Sequence, residues 1–162
     1  MNSSGRDETL KIGKLGEKVV EFWLEGQGWT ILHRRWRCRW GEIDLVARCN
    51  GEAMLAFVEV KTRSRDSWDE GGLLAITPRK QAKLWQAAEM FLAEFPELAV
   101  LPCRFDLALV GAARSRSDRE TTSRAEFPES SSSVILGQPI ILSGYRLVLH
   151  RYLEAISLGA GS

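Results

Sequence analysis

The amino-acid sequence predicts an α/β fold, a central mixed β-sheet flanked by helices. Three observations predict it. Residues 10–26 and 77–95 carry apolar side chains at helical spacing. Runs rich in β-formers fall at 29–32, 42–48, 54–63, 103–110 and 139–149. Asn50-Gly51 joins two of those runs, and that dipeptide favours a tight antiparallel hairpin turn. The order helix, three strands, helix, strand, polar segment, strand is an α/β pattern.

The first helix places Ile12, Leu15, Gly16, Val19, Phe22 and Trp23 on one stripe, with Lys14, Lys18, Glu21 and Glu25 opposite. Glu17 falls outside that polar stripe, beside Leu10, Val20 and Leu24. A carboxylate there is either buried at a cost or held for a purpose. Gly26 and Gly28 end the helix. Residues 64–76 are polar and glycine-containing and read as a loop, with 64–72 a candidate substrate loop or an ordinary surface connection. Thr77 is an N-cap and Pro78 a first helical residue. Leu84, Trp85, Ala88, Phe91, Leu92 and Phe95 form the apolar face of that helix, and Pro96 closes it.

The 162 residues suit one domain with a real core. The reading divides them into a flexible N-terminus (1–9), a core (10–110), an insertion (111–133), a C-terminal strand region completing the core (134–156) and a tail (157–162). The insertion is rich in Ser, Arg, Glu and Thr and nearly devoid of large apolar residues, so it predicts disorder. Residues 139–149 form one strand or two short pieces.

A formal net charge of +1 argues against a constitutive coat for nucleic acid, so any such contact must rest on local basic clusters. Cys38, Cys49 and Cys103 make an odd set without a C-x-x-C pair. That argues against a zinc knuckle and a disulfide framework, and for thiols in a reducing cytosol. No apolar run is long enough to span a membrane, and residues 1–8 lack an apolar signal core. The expected location is cytoplasmic, with no membrane partner.

The chemistry concentrates in two short motifs, Glu42-Ile43-Asp44 and Glu59-Val60-Lys61. Alternate strand residues share a face, so Glu59 and Lys61 project together, as do Glu42 and Asp44. Glu59 and Lys61 alone read more readily as a plain solvated pair. The hairpin changes the balance, because it brings Asp44 near Glu59. Two carboxylates on neighbouring strands repel unless a cation neutralises them, and Mg²⁺ or Mn²⁺ suits such a set. That ion would polarise a phosphoryl oxygen and generate a nucleophilic hydroxide. The Val60 carbonyl is a further neutral oxygen, and Lys61 is placed for the attacking water or the crowded phosphate. Asp44 is expected to do the work of its motif, with Glu42 as a flank.

Residues 33–40 read His-Arg-Arg-Trp-Arg-Cys-Arg-Trp. Arg34, Arg35, Arg37 and Arg39, with Trp40, are candidates to grip phosphates and stack on bases at the mouth of the site. The alternative is an edge strand or loop of solvated arginines, with Trp36 and Trp40 as packing residues. Arg63 and Arg65 follow Lys61 and are further candidates for the nucleic-acid backbone. Asp106, beside Arg104, reads as structural. His33 and His150 are isolated and receive no role.

These motifs resemble the PD-(D/E)XK nuclease superfamily and, within it, the YraN-like family of predicted endonucleases. The matching residues are Gly13-Lys14-Leu15-Gly16-Glu17, residues 37–46, residues 57–63, Lys80-Gln81 and Arg104-Phe105-Asp106. The match spans about residues 10–110 and weakly the last strand. The resemblance implies a restriction-endonuclease-like core, with Asp44 and Glu59 as metal ligands and Lys61 as the catalytic lysine. Glu17 matches the helix acid that completes resolvase-like sites, and Gln81 or Lys80 the supporting helix residue. Lys80 is equally a solvated first-turn lysine. The family is similar to archaeal Holliday-junction resolvases, which implies DNA, branched or structured, as the substrate. Cutting a junction needs two active sites and hence a homodimer. The other reading is a non-catalytic nucleic-acid-binding module keeping the nuclease fold. The sequence departs from the family near Arg35, where an asparagine is usual, and in the 111–133 segment.

Overall fold

Hairpin formation organises the sheet. The computed structural model describes residues 3–64, 76–116 and 134–157. Two strands, β2 (Gly41–Cys49) and β3 (Leu55–Ser64), pair antiparallel, with Leu45 opposite Val58 and Arg48 opposite Leu55. The Cys49 N–H donates to the Met54 carbonyl at 3.0 Å and closes the turn that Asn50-Gly51 predicts. In front of them runs β1 (Trp29–Cys38), and behind them β4 (Cys103–Arg114), β5 (Pro139–Leu142) and β6 (Tyr145–Leu153). The six-stranded sheet has the order β1-β2-β3-β4-β6-β5. Among the described residues only the β3–β4 pair is parallel, so the sheet is mixed.

Alternation along β3 splits the core in two. Ala56, Val58 and Val60 face α1 (Ser3–Gly26), whose Leu15, Val19, Val20 and Leu24 pack there. Leu55 and Phe57 face α2 (Pro78–Glu94), against Ala87, Ala88 and Phe91. The helices thus cover opposite faces. Thr77 caps α2 by accepting the Lys80 N–H at 3.2 Å, with Pro78 at the first position, as the sequence predicts.

The helix α1 seats closely. A Cβ added at Gly16 would lie 1.9 Å from the Thr62 hydroxyl oxygen, so only glycine allows this approach. The Thr62 hydroxyl is buried and has no hydrogen-bond partner among the described residues. Glu17 follows directly on this contact.

Several boundaries differ from expectation. The predicted flexible segment 1–9 is helical from Ser3, and Glu8 accepts from Arg114 and from the Tyr145 hydroxyl at 2.8 Å. The strand predicted at 29–32 runs on to Cys38, because an edge strand tolerates the polar residues that masked it. The predicted insertion begins later, since residues 111–114 belong to β4, where small side chains still fit the ladder with β6. Residues 117–133, the tail from 158 and residues 65–72 of the candidate substrate loop, Arg65 included, lie outside the described residues. The 139–149 segment resolves into two strands joined at Ser143-Gly144, both with positive φ, as hairpin turns favour. Trp85, predicted on the apolar face of α2, is 52% exposed.

The three cysteines are free thiols. Asp106 is buried and accepts from the Tyr152 hydroxyl at 2.7 Å, the Ala155 N–H at 2.9 Å and the Arg104 guanidinium at 3.1 Å. That is a structural tie between β4 and the end of β6. His33 packs on Phe91 and Phe95. No helix among the described residues is long and apolar enough to cross a membrane.

Candidate active site

Three strands bring the key residues into one row. Arg34 pairs with Leu45 and Trp36 with Ile43, which places Arg35 across from Asp44. The β2–β3 ladder ends at Leu45–Val58, and one step further brings Asp44 across from Glu59. There Asp44 replaces a ladder bond: its Oδ2 accepts the Val60 N–H at 2.8 Å. The Val60 group that meets Asp44 is therefore its amide N–H.

Carboxyl oxygens of Glu17, Glu42 and Asp44 lie within 4.8 Å of one another. Glu42, expected to be a flank, belongs to this cluster. The two-residue spacing from Asp44 was the signal for it. Glu59 adjoins Asp44 within hydrogen-bonding reach, but Lys61 and Lys80 hold it, at 3.3 Å and 2.5 Å.

Electrostatics follow from this crowding. Burial, with the Glu59 carboxylate next in importance, pushes Asp44 up to about 8. Burial, and then the Lys80 ammonium, lowers Lys61 below the usual lysine range. Burial works against Lys80 too, but the Glu59 carboxylate outweighs it and raises its pKa. The two lysines differ because Lys80 approaches Glu59 more closely.

Arg35 is the cation among the three clustered acids. Its Nε and Nη2 donate to the two carboxylate oxygens of Glu17 at 2.7 Å and 3.1 Å, and Nε lies 3.9 Å from Glu42. Its backbone φ is +48°, a left-handed conformation that asparagine tolerates far better than most residues.

Arg34 and Arg37, expected at the mouth of the site, are also paired internally, to Glu21 at 2.5 Å and Glu42 at 2.7 Å. Arg39 lies over the Trp40 ring, 5.1 Å from its centroid, and Arg63 is exposed at the end of β3. Gln81 donates through Nε2 to the Ile76 carbonyl at 3.1 Å. The helix residue that reaches the strand acids is Lys80.

An all-oxygen, carboxylate-rich donor set of this spacing fits a hard divalent cation. Oxygens around one octahedral Mg²⁺ lie roughly 3–4 Å apart. Glu17, Glu42 and Asp44 would need only to close slightly, with Arg35 moving aside.

Residues 16–110 match the family model described as Uncharacterised protein family UPF0102. The chain belongs to the UPF0102 family. A UPF0102 protein of Trichodesmium erythraeum is 46% identical over 160 residues, covering 91% of this chain and 89% of the relative. One from Acaryochloris marina is 45% identical over 157 residues, covering 93% and 91%. A third, from a Nostoc species, is 56% identical over 104 residues, covering 62% and 74%. The family match begins at Gly16 and ends at Val110, and so encloses all four acids, both lysines and Arg35 of this UPF0102 protein.

Proposed function

We propose that this UPF0102 chain is a metal-dependent endonuclease of restriction-endonuclease-like fold that hydrolyses phosphodiester bonds in DNA. The observation that carries this reading is the convergence of Asp44, Glu59, Glu17 and Glu42 with Lys61 two residues from Glu59. Glu17, Glu42 and Asp44 would hold Mg²⁺ or Mn²⁺, with Glu59 as the neighbouring acid. When bound, such an ion would supply Lewis-acid polarisation of the phosphoryl oxygen and would activate a water.

The chain's own residues divide the rest. Lys61, with its lowered pKa, gives up its proton more easily than an ordinary lysine and can then accept one from an attacking water. Lys80 stays cationic, fixes Glu59 and offers charge to the phosphate oxygens. Branched or structured DNA is the proposed substrate class, and a homodimer the assembly that cutting both strands of a junction would require.

One observation favours a second reading. Arg35 already pairs with Glu17 and approaches Glu42, as it would in a nucleic-acid-binding module that keeps the fold and does not cleave. Titration of Mg²⁺ and Mn²⁺ against branched, single-stranded and duplex DNA separates the two. Metal-dependent cleavage should vanish in Asp44→Ala and Lys61→Ala. Equal cleavage by both variants and the wild type would overturn the assignment, and strand binding without cleavage at any metal concentration would favour the second reading.

A further inference from the structure

Arg34, Arg35 and Arg37 on β1 are each ion-paired to a carboxylate, Arg35 half-buried and Arg34 and Arg37 at the surface. Further cations border the site on α2. Arg79 and Lys83 are exposed on the first turns of α2 and have no ion pair among the described residues. They stand four residues apart, on one helix face and about 6 Å along its axis. The first turn of α2 contains no acid to offset them.

These two side chains line one wall of a groove of about 570 Å³, and Trp40 and Gly41 line the other. Lys80 and Glu42 also face the groove, so it opens directly onto the acidic centre. The Trp40 indole is half-buried, packs against the core cluster under α2 and has the Arg39 guanidinium 5.1 Å from its ring centroid. Cations one helical turn apart match successive phosphates of an extended strand. An aromatic wall suits an unstacked base, because every base offers a π-face. A groove of this volume takes a nucleotide or two.

We propose that the groove between Trp40 and α2 seats a single unpaired nucleic-acid strand, with Arg79 and Lys83 on consecutive phosphates and Trp40 against a base. Binding there stands on the groove's own residues. That the strand is presented for cleavage rests on the nuclease reading.

The test is fluorescence polarisation of a labelled single-stranded deoxyoligonucleotide with EDTA present, so that binding is read without cleavage. Arg79→Glu with Lys83→Glu should weaken binding at least roughly tenfold and make the log–log salt slope shallower by about 1.4, two single-strand phosphate contacts. Trp40→Leu, which keeps an apolar side chain, should weaken binding roughly tenfold with the salt slope unchanged. A blunt duplex should compete poorly. Wild-type affinity in the double charge variant, equal competition by blunt duplex, or no strand binding by the wild type would each overturn the proposal. Calorimetry with Mn²⁺ should give unchanged metal affinity in the charge variant, whose substitutions are exposed. If the strand binds through these residues but no metal supports cleavage, the nuclease reading fails and the groove stands. If cleavage is undiminished in the double charge variant, the groove fails and the nuclease reading stands.

Discussion

The Arg35 guanidinium grips both carboxylate oxygens of Glu17, at 2.7 Å and 3.1 Å, from a backbone position held at φ +48°. A side chain that prefers negative φ is thus kept in a strained conformation with its charge among three acids. Any cation entering the cluster competes with it. Arg35→Asn removes the competitor and suits the backbone. Mn²⁺ affinity measured by calorimetry should rise on the order of tenfold, the scale of about 1.4 kcal/mol. Unchanged or weaker affinity would mean that the guanidinium does not stand in the cation's way.

Asp44 makes stability depend on pH in a stated direction. Its folded pKa of about 8 lies above the unfolded value of about 3.9. Between those values the folded state holds a proton that the unfolded state has released. The stabilising contribution is therefore complete below about pH 4 and is lost as pH rises through about 8. Asp44→Asn imitates the protonated form and lacks this loss. Melting curves with EDTA from pH 5 to 9 should show the variant's Tm advantage growing with pH. Parallel curves would refute the assignment.

Lys80 tunes Lys61 by proximity. Lys80→Met removes the cation that helps hold Lys61 below the lysine range, so the Lys61 pKa should rise. If Lys61 accepts the proton of the attacking water, the rising limb of the pH–rate profile moves to higher pH. The variant also leaves the buried Glu59 with Lys61 as its one remaining ion-pair partner among the described residues, and urea titration should show a loss of about 1–3 kcal/mol. A rate profile that stays in place would assign the limb to another group.

Gly16→Ala should destabilise the fold by about 1–3 kcal/mol, because the new methyl meets the Thr62 hydroxyl oxygen. Thr62→Ala removes that oxygen, itself buried without a partner among the described residues, and should recover part of the loss. A double-mutant cycle in urea checks the coupling, and additive losses would show that the two residues do not limit each other's volume.

Local rules made much of this architecture legible. The Asn50-Gly51 turn announced the hairpin, Thr77-Pro78 announced the start of α2, and the two-residue spacing placed Glu59 and Lys61 together. Features that depend on distant partners were hidden. Arg34 and Arg35 looked free because their acids, Glu21 and Glu17, lie on another element. Residues 33–38 hid a strand behind their charge. The small residues at 111–113 look like loop until the ladder with β6 is known. Arg79 and Lys83 gave no signal as exposed helix residues; their meaning comes from Trp40 standing opposite. Glu42 was visible by spacing, yet its place in the cluster depends on where Glu17 docks.

The mixed pairing of β3 has a consequence for the order of folding. On one side it meets β2 through a short turn; on the other, Leu55 meets Cys103 only after the chain has crossed the whole of α2. Closing the short loop costs less entropy, so the β2–β3 hairpin is expected to form first and β4 to dock later. Asp44 and Glu59 thus first meet in water, where two charges 4 Å apart repel by only about 1 kcal/mol. Their mutual strain grows as the helices and β4 close over them, and the site's altered acidity is installed in the last stage of folding.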